Sequence, residues 1–133
     1  MMNRVVHFEI QAENPERAAA FYKKVFGWTI KKWEGLGLDY WTVMTSEQDS
    51  KEPGINGGLL RRPAKIPPQQ CGTNAYVCTV QVKNFDETAK KIQATGGTIA
   101  MAKFAIPKMA WQGYFLDTEG NTFGVHQPDV NAK

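Results

Sequence analysis

One unit of sequence occurs twice in this chain, and no other feature limits the possible folds so tightly. Residues 5–27 read VVHFEIQAENPERAAAFYKKVFG, and residues 75–97 read AYVCTVQVKNFDETAKKIQATGG. Each copy is a short alternating strand, a polar break, one amphipathic helix and a glycine stop. Aligning Gly27 with Gly97 sets Ala19 on Ala89 and His7 on Val77. A repeated supersecondary unit fixes the architecture before chemistry is considered, and it gives each candidate site residue a twin for comparison.

The helix signals are strong. Asn14 suits an N-cap and Pro15 a first helical position, where no hydrogen bond is lost. Ala18, Phe21, Tyr22, Val25 and Phe26 then form an apolar stripe expected to lie on a sheet, and Gly27 ends the helix. Asn84 and Glu87 have the spacing of a capping box; Phe85, Ala89 and Ile92 are expected on the inner face, with Gly96-Gly97 as the stop. Short strands follow each helix, about 29–34, 39–45 and 56–60 in the first half and 98–104, 112–117 and 122–127 in the second. Turn residues at Gly35, Gly37, Pro53-Gly54 and Glu119-Gly120-Asn121 separate them. Each half therefore reads strand, helix, strand, strand, strand. Module one spans about 4–61 and module two about 74–128, joined by the proline-rich linker 62–73, all within a single domain 1–133.

Composition narrows the function. The chain of 133 residues is 42% hydrophobic and 22% charged, with a net charge of +3, as for an ordinary globular protein. Its basic pairs are scattered and two lie on helices, so no nucleic-acid partner is expected. No apolar run reaches membrane-spanning length, and the segment MMNRVVHFE lacks a signal-peptide core, which predicts a cytoplasmic protein with no membrane partner. Cys71 and Cys78 are read as two unrelated thiols.

Strand parity separates two faces. Val6, Phe8 and Ile10 alternate with His7, Glu9 and Gln11; Phe123 and Val125 alternate with Thr122, Gly124 and His126. Val77, Thr79 and Gln81 share a face on the fifth strand, and Gly58 faces away from Leu59 on the fourth. The apolar faces are expected to receive the helices. A face carrying His, Glu, Gln, Thr and Gly makes a poor dry core and a suitable ligand cup. The expected fold is α+β, two βαβββ modules with curved mixed sheets forming a ligand cup.

The repeat, NPERAAAFYKKVFGW near the start and DTEGNTFGVHQ near the end together resemble the vicinal oxygen chelate superfamily, the glyoxalase, bleomycin-resistance and extradiol-dioxygenase group. The resemblance covers about residues 4–128. Metal-using members of that family place four ligands on the first, fourth, fifth and eighth strands. Carried over by position, these fall on His7, Gly58, Val77 and Gly124, so three of the four offer no side-chain ligand. The resemblance therefore implies a small-molecule binder whose metal set is depleted, with no cofactor expected, and strand parity with these positions gives His7, Glu9, Gly58, Thr79, Gly124 and His126 as the expected ligand-binding residues.

Alternatives stay open. A divalent-metal-dependent lyase or isomerase, lactoylglutathione-lyase-like, needs a rearranged set of His7, Glu9 and His126, which is chemically capable of holding a metal. Glu9 is the candidate catalytic base, and an ion-paired or wet carboxylate is the bland alternative. Whether the protein is an enzyme is left open. Gly58 and Gly124 mark either an opened pocket, in which an added side chain would project into free space, or a tight bend. Trp28, Trp33, Trp41 and Trp111, with Tyr40, Tyr114 and Phe104, either stack on an aromatic ligand or fill the core. Arg61-Arg62 after the fourth strand suits an anion. A homodimer is expected, because two helices cannot shelter this much aromatic surface, with Trp33 and Trp41 near sheet edges.

Overall fold

Both helices begin where their caps predict. Asn14 is extended and its side chain accepts from the Arg17 amide at 3.0 Å; Asn84 does the same for Glu87 at 3.0 Å. The computed structural model describes residues 2–35, 37, 39–68 and 74–133. Its elements are β1 (Arg4–Ala12), α1 (Pro15–Phe26), β2 (Thr29–Lys32), β3 (Tyr40–Met44), β4 (Gly57–Arg61), β5 (Val77–Gln81), α2 (Phe85–Ala94), β6 (Thr98–Ile106), β7 (Ala110–Leu116) and β8 (Thr122–Pro128). Each half is thus βαβββ, and the fold is α+β. Residues 62–68 of the expected linker contain no helix or strand, whereas 69–73, with Cys71, lie outside the described residues. Cys78 is an exposed free thiol. Among the described residues no helix is long and apolar enough to cross a membrane.

The chain divides into two compact units, one of His7–Tyr76 and one of Val77–Lys133 with the start of β1 up to Val6. The first has strand order β2-β3-β4-β1. Its β1 runs parallel to β4 and the remaining pairs are antiparallel, a mixed sheet. Phe8, Ile10, Ala19, Ile30, Trp41, Val43 and Leu59 form its core, with Ala18, Tyr22 and Trp28 packed against them. The second has order β5-β8-β7-β6, again with one parallel pair, β5 with β8. Val82, Phe85, Phe115 and Val125 form its core under α2, joined by Ala89 and Ile92 as the helix pattern predicts. Burying a ring such as Phe115 contributes roughly 1.5–3 kcal/mol, and Phe115 is 2% exposed.

Three expectations are corrected. The α1 stripe does not lie wholly on the sheet: Phe21, Val25 and Phe26 are 56%, 54% and 59% exposed. The small side chains of Ala18 and Ala19 let the helix sit close, and the rings at its border pack sideways. Tyr22 stacks on Trp28 at 5.3 Å, and Phe26 on Trp28 at 5.2 Å. Trp41 is no exposed edge aromatic, because its parity on β3 turns it into the core of its own unit. Finally, α2 stops at Ala94, with Thr95 as its cap before Gly96-Gly97.

Candidate functional site

In the first unit, β4 lies between β1 and β3, so a side chain on β3 must cross β4 to reach β1. Register sets Glu9 and Thr42 beside Gly58, and Tyr40 beside Leu60. Parity sends Phe8 and Ile10 into the core and leaves His7 and Glu9 on the opposite face. Tyr40 spans the gap. Its hydroxyl lies 3.0 Å from His7 Nε2. A Cβ on Gly58 would fall 1.8 Å from that hydroxyl and 2.2 Å from Cζ of the ring. Gly58 is therefore a window through which the phenol passes, not an opened pocket, and the expectation of free space there is corrected.

Glu9 is buried, 6% exposed, and hydrogen-bonds the same phenol. A carboxylate only accepts, so Tyr40 O–H donates to Glu9 and its oxygen is left to accept from His7 Nε2–H. Burial, then the charge of Glu9 and its hydrogen bond, raises the Tyr40 pKa far above the usual tyrosine range. Burial lowers the His7 pKa, because it disfavours the charged imidazolium. Trp33 meets the Tyr40 ring edge-on at 6.1 Å and flanks the site with apolar surface.

The shift on His7 has a definite consequence for stability. The unfolded chain takes up the proton at about pH 6.5, before the folded one does. Stability from the neutral His7 is then full above that pH and is lost as the pH falls through the lower folded-state value. Melting temperatures measured from pH 8 to pH 5 should fall more steeply on the acid side for the wild type than for His7→Gln. Coincident curves would refute the assignment.

The second unit repeats the arrangement with other chemistry. Here β8 lies between β5 and β7, and Thr79 and Tyr114 both register on Gly124. Gln112 pairs with His126, as Tyr40 pairs with Leu60, so Gln112 is the twin of Tyr40. Its Oε1 lies 2.8 Å from His126 Nδ1, which donates to it. A Cβ on Gly124 would sit 2.3 Å from Thr79 Oγ1, 2.9 Å from Gln112 Nε2 and 3.2 Å from Tyr114 Cε1. The space beside Gly124 is thus filled as well, again against expectation. Thr79 is 1% exposed and its buried hydroxyl has no hydrogen-bond partner.

The structure brings His7, Glu9 and Gly58 together in one unit, and Thr79, Gly124 and His126 in the other. Sequence reasoning did not assign Gln112 and treated Tyr40 as one aromatic among several. The signal lay in the repeat: both residues stand on the third strand of their modules and register two positions beyond the glycine.

The donor set does not fit a bound divalent metal. Of the four positions carried over by resemblance only His7 has a ligating side chain; its Nε2 engages Tyr40, and protein atoms fill the space beside both glycines. Among the described residues no group of three or more His, Cys, Asp or Glu is placed to hold a metal ion.

A family model described as glyoxalase/bleomycin resistance protein/dioxygenase superfamily matches residues 4–125. The chain belongs to that superfamily. Solved structures with the same fold include a variant of methylmalonyl-CoA epimerase from Streptomyces coelicolor in complex with 2-nitronate-propionyl-CoA. It is 14% identical with a TM-score of 0.63, covering 100% of this chain and 99% of that one. A hypothetical protein from Bacillus halodurans is 12% identical with a TM-score of 0.63, covering 98% and 97%. Methylmalonyl-CoA epimerase from Mycobacterium tuberculosis is 11% identical with a TM-score of 0.60, covering 96% and 89%. At these identities the likeness is one of fold. No curated protein matches the sequence.

Proposed function

We propose that the protein binds a small organic molecule on the polar strand face turned away from the helix, with a candidate site in each unit, without a resident metal. The observation that supports this is where polar side chains are buried. Among the described residues these are Glu9, Thr79 and Gln112, and each stands on the face turned away from its module's helix. A face maintained only for packing would favour apolar residues, because a buried polar group is costly unless hydrogen-bonded. His7, Glu9 and Tyr40 are hydrogen-bonded in one module, Gln112 and His126 in the other, and the Thr79 hydroxyl stands unpartnered beside Gly124. Glu9 is the candidate base of the site. The coenzyme A ester named with a solved structure of the same fold, methylmalonyl-CoA, is the first ligand to try.

The second reading is a divalent-metal-dependent lyase or isomerase that keeps His7 as its one side-chain ligand from the four family positions. It is favoured by the histidine retained at the first-strand position. One experiment separates the two. After dialysis, elemental analysis should find far less than one metal per chain, and added zinc or nickel should leave the melting temperature unchanged. A bound organic ligand should raise it by mass action, tested with methylmalonyl-CoA and S-lactoylglutathione. Stoichiometric metal, lost together with turnover in His7→Ala, would establish the lyase instead.

The same reading includes a homodimer. β6 ends the strand order of its sheet and exposes Ile99, Met101 and Phe104, at 51%, 54% and 36%. Exposed apolar edges are usually covered, and a twofold pair is the commonest way. Light scattering should give about twice the chain mass of 14.9 kDa, and Met101→Lys should shift it toward the monomer.

A further inference from the structure

Arg61 and Arg62 follow one another at the end of β4, yet one of them lacks an acid. Arg61 pairs with Asp39 at 3.5 Å. Arg62 is half-buried and forms no ion pair among the described residues. Its Nη2 donates to the Gln11 carbonyl at 3.1 Å and its Nη1 to Asn74 Oδ1 at 3.4 Å. Its Nε is buried and has no hydrogen-bond partner. A guanidinium held partly out of water without a counter-charge is costly, and the missing partner of such a group is an anion.

Arg62 lines a groove of about 400 Å³ beside α1 in the first unit, whose lining includes neither His7 nor Glu9. Its other walls include Ala18, Phe21 and Tyr22 of α1 and Ile66, with Arg17 adding a second positive charge. Glu13, which also lines the groove, is exposed, and its carboxylate pairs with neither arginine among the described residues. Phe21 and Ile66 stay 56% and 61% exposed, so the walls present apolar surface that the protein itself leaves uncovered.

We propose that this groove is a second binding site, for a small carboxylate with a ring-sized apolar body. The carboxylate pairs with the Arg62 guanidinium, whose two Nη groups keep a further N–H each beyond their bonds to Gln11 and Asn74, and the body lies against Phe21, Tyr22 and Ile66. Uptake of the anion completes the Arg62 charge and covers the two exposed walls together.

Phenylacetate titrated into the full ¹⁵N-labelled chain tests this, with phenylacetamide as the neutral isostere. Phenylacetate should shift amides within residues 10–22 and 62–66. Phenylacetamide should bind at least about tenfold more weakly, and Arg62→Met and Ile66→Asp should each weaken phenylacetate by at least about tenfold. Ile66 is exposed, so its aspartate variant keeps the fold even if Arg62→Met does not. Absent shifts, shifts confined to the His7 face, equal binding of the amide or undiminished binding by Ile66→Asp would overturn the proposal.

Discussion

Gly58→Ala is expected to be among the most damaging single-methyl additions this chain can receive. The new carbon would lie 1.8 Å from the Tyr40 hydroxyl and 2.2 Å from its ring, so the phenol must leave. Its departure breaks the hydrogen bonds to His7 and to buried Glu9. Overpacking and lost polar partners together should cost about 3 kcal/mol, a fall in melting temperature on the order of 10 °C. The companion variant is Tyr40→Ala. If the two side chains compete for one space, Tyr40→Ala should cost much less when combined with Gly58→Ala than in the wild type. Additive losses, or a Gly58→Ala variant that melts as the wild type does, would show that the phenol does not fill the window.

Gly124→Leu should be at least as severe. From the first strand to the eighth, alternation alone suggests a harmless addition in open space, but Thr79 Oγ1 and Gln112 Nε2 stand 2.3 and 2.9 Å from the new Cβ. The cost should reach about 3 kcal/mol or more, read as a loss of the cooperative melt or of soluble protein. Thr79→Val is the informative contrast. It removes a buried hydroxyl that has no partner and keeps the shape, so it should be nearly neutral or stabilising. A tolerated leucine at position 124 would restore the open-pocket reading.

These two glycines also mark where sequence reasoning stops. The caps at Asn14 and Asn84, the repeat and the sorting of Phe8 and Ile10 from His7 and Glu9 were all legible, because each depends on near neighbours in the chain. A glycine in a strand reports that a side chain is missing but not what uses the space. At position 58 the occupant comes from Tyr40, on another strand. Helix periodicity likewise named the apolar residues of α1 but not that Phe21, Val25 and Phe26 stay in solvent. Which side of the helix is covered depends on the sheet that Ala18 and Ala19 pack against, and that sheet is built from distant strands.

The filled windows also limit what this chain can become. A mutational path that rebuilds the four-strand ligand set of the superfamily has to put a carboxylate or imidazole at position 58, where the Tyr40 phenol already stands. If the ligand arrives first, the core is overfilled; if Tyr40 leaves first, Glu9 loses its hydroxyl. Position 124 poses the same problem with Thr79 and Gln112. A ligating side chain at either glycine therefore needs a compensating change in the neighbour that fills its space.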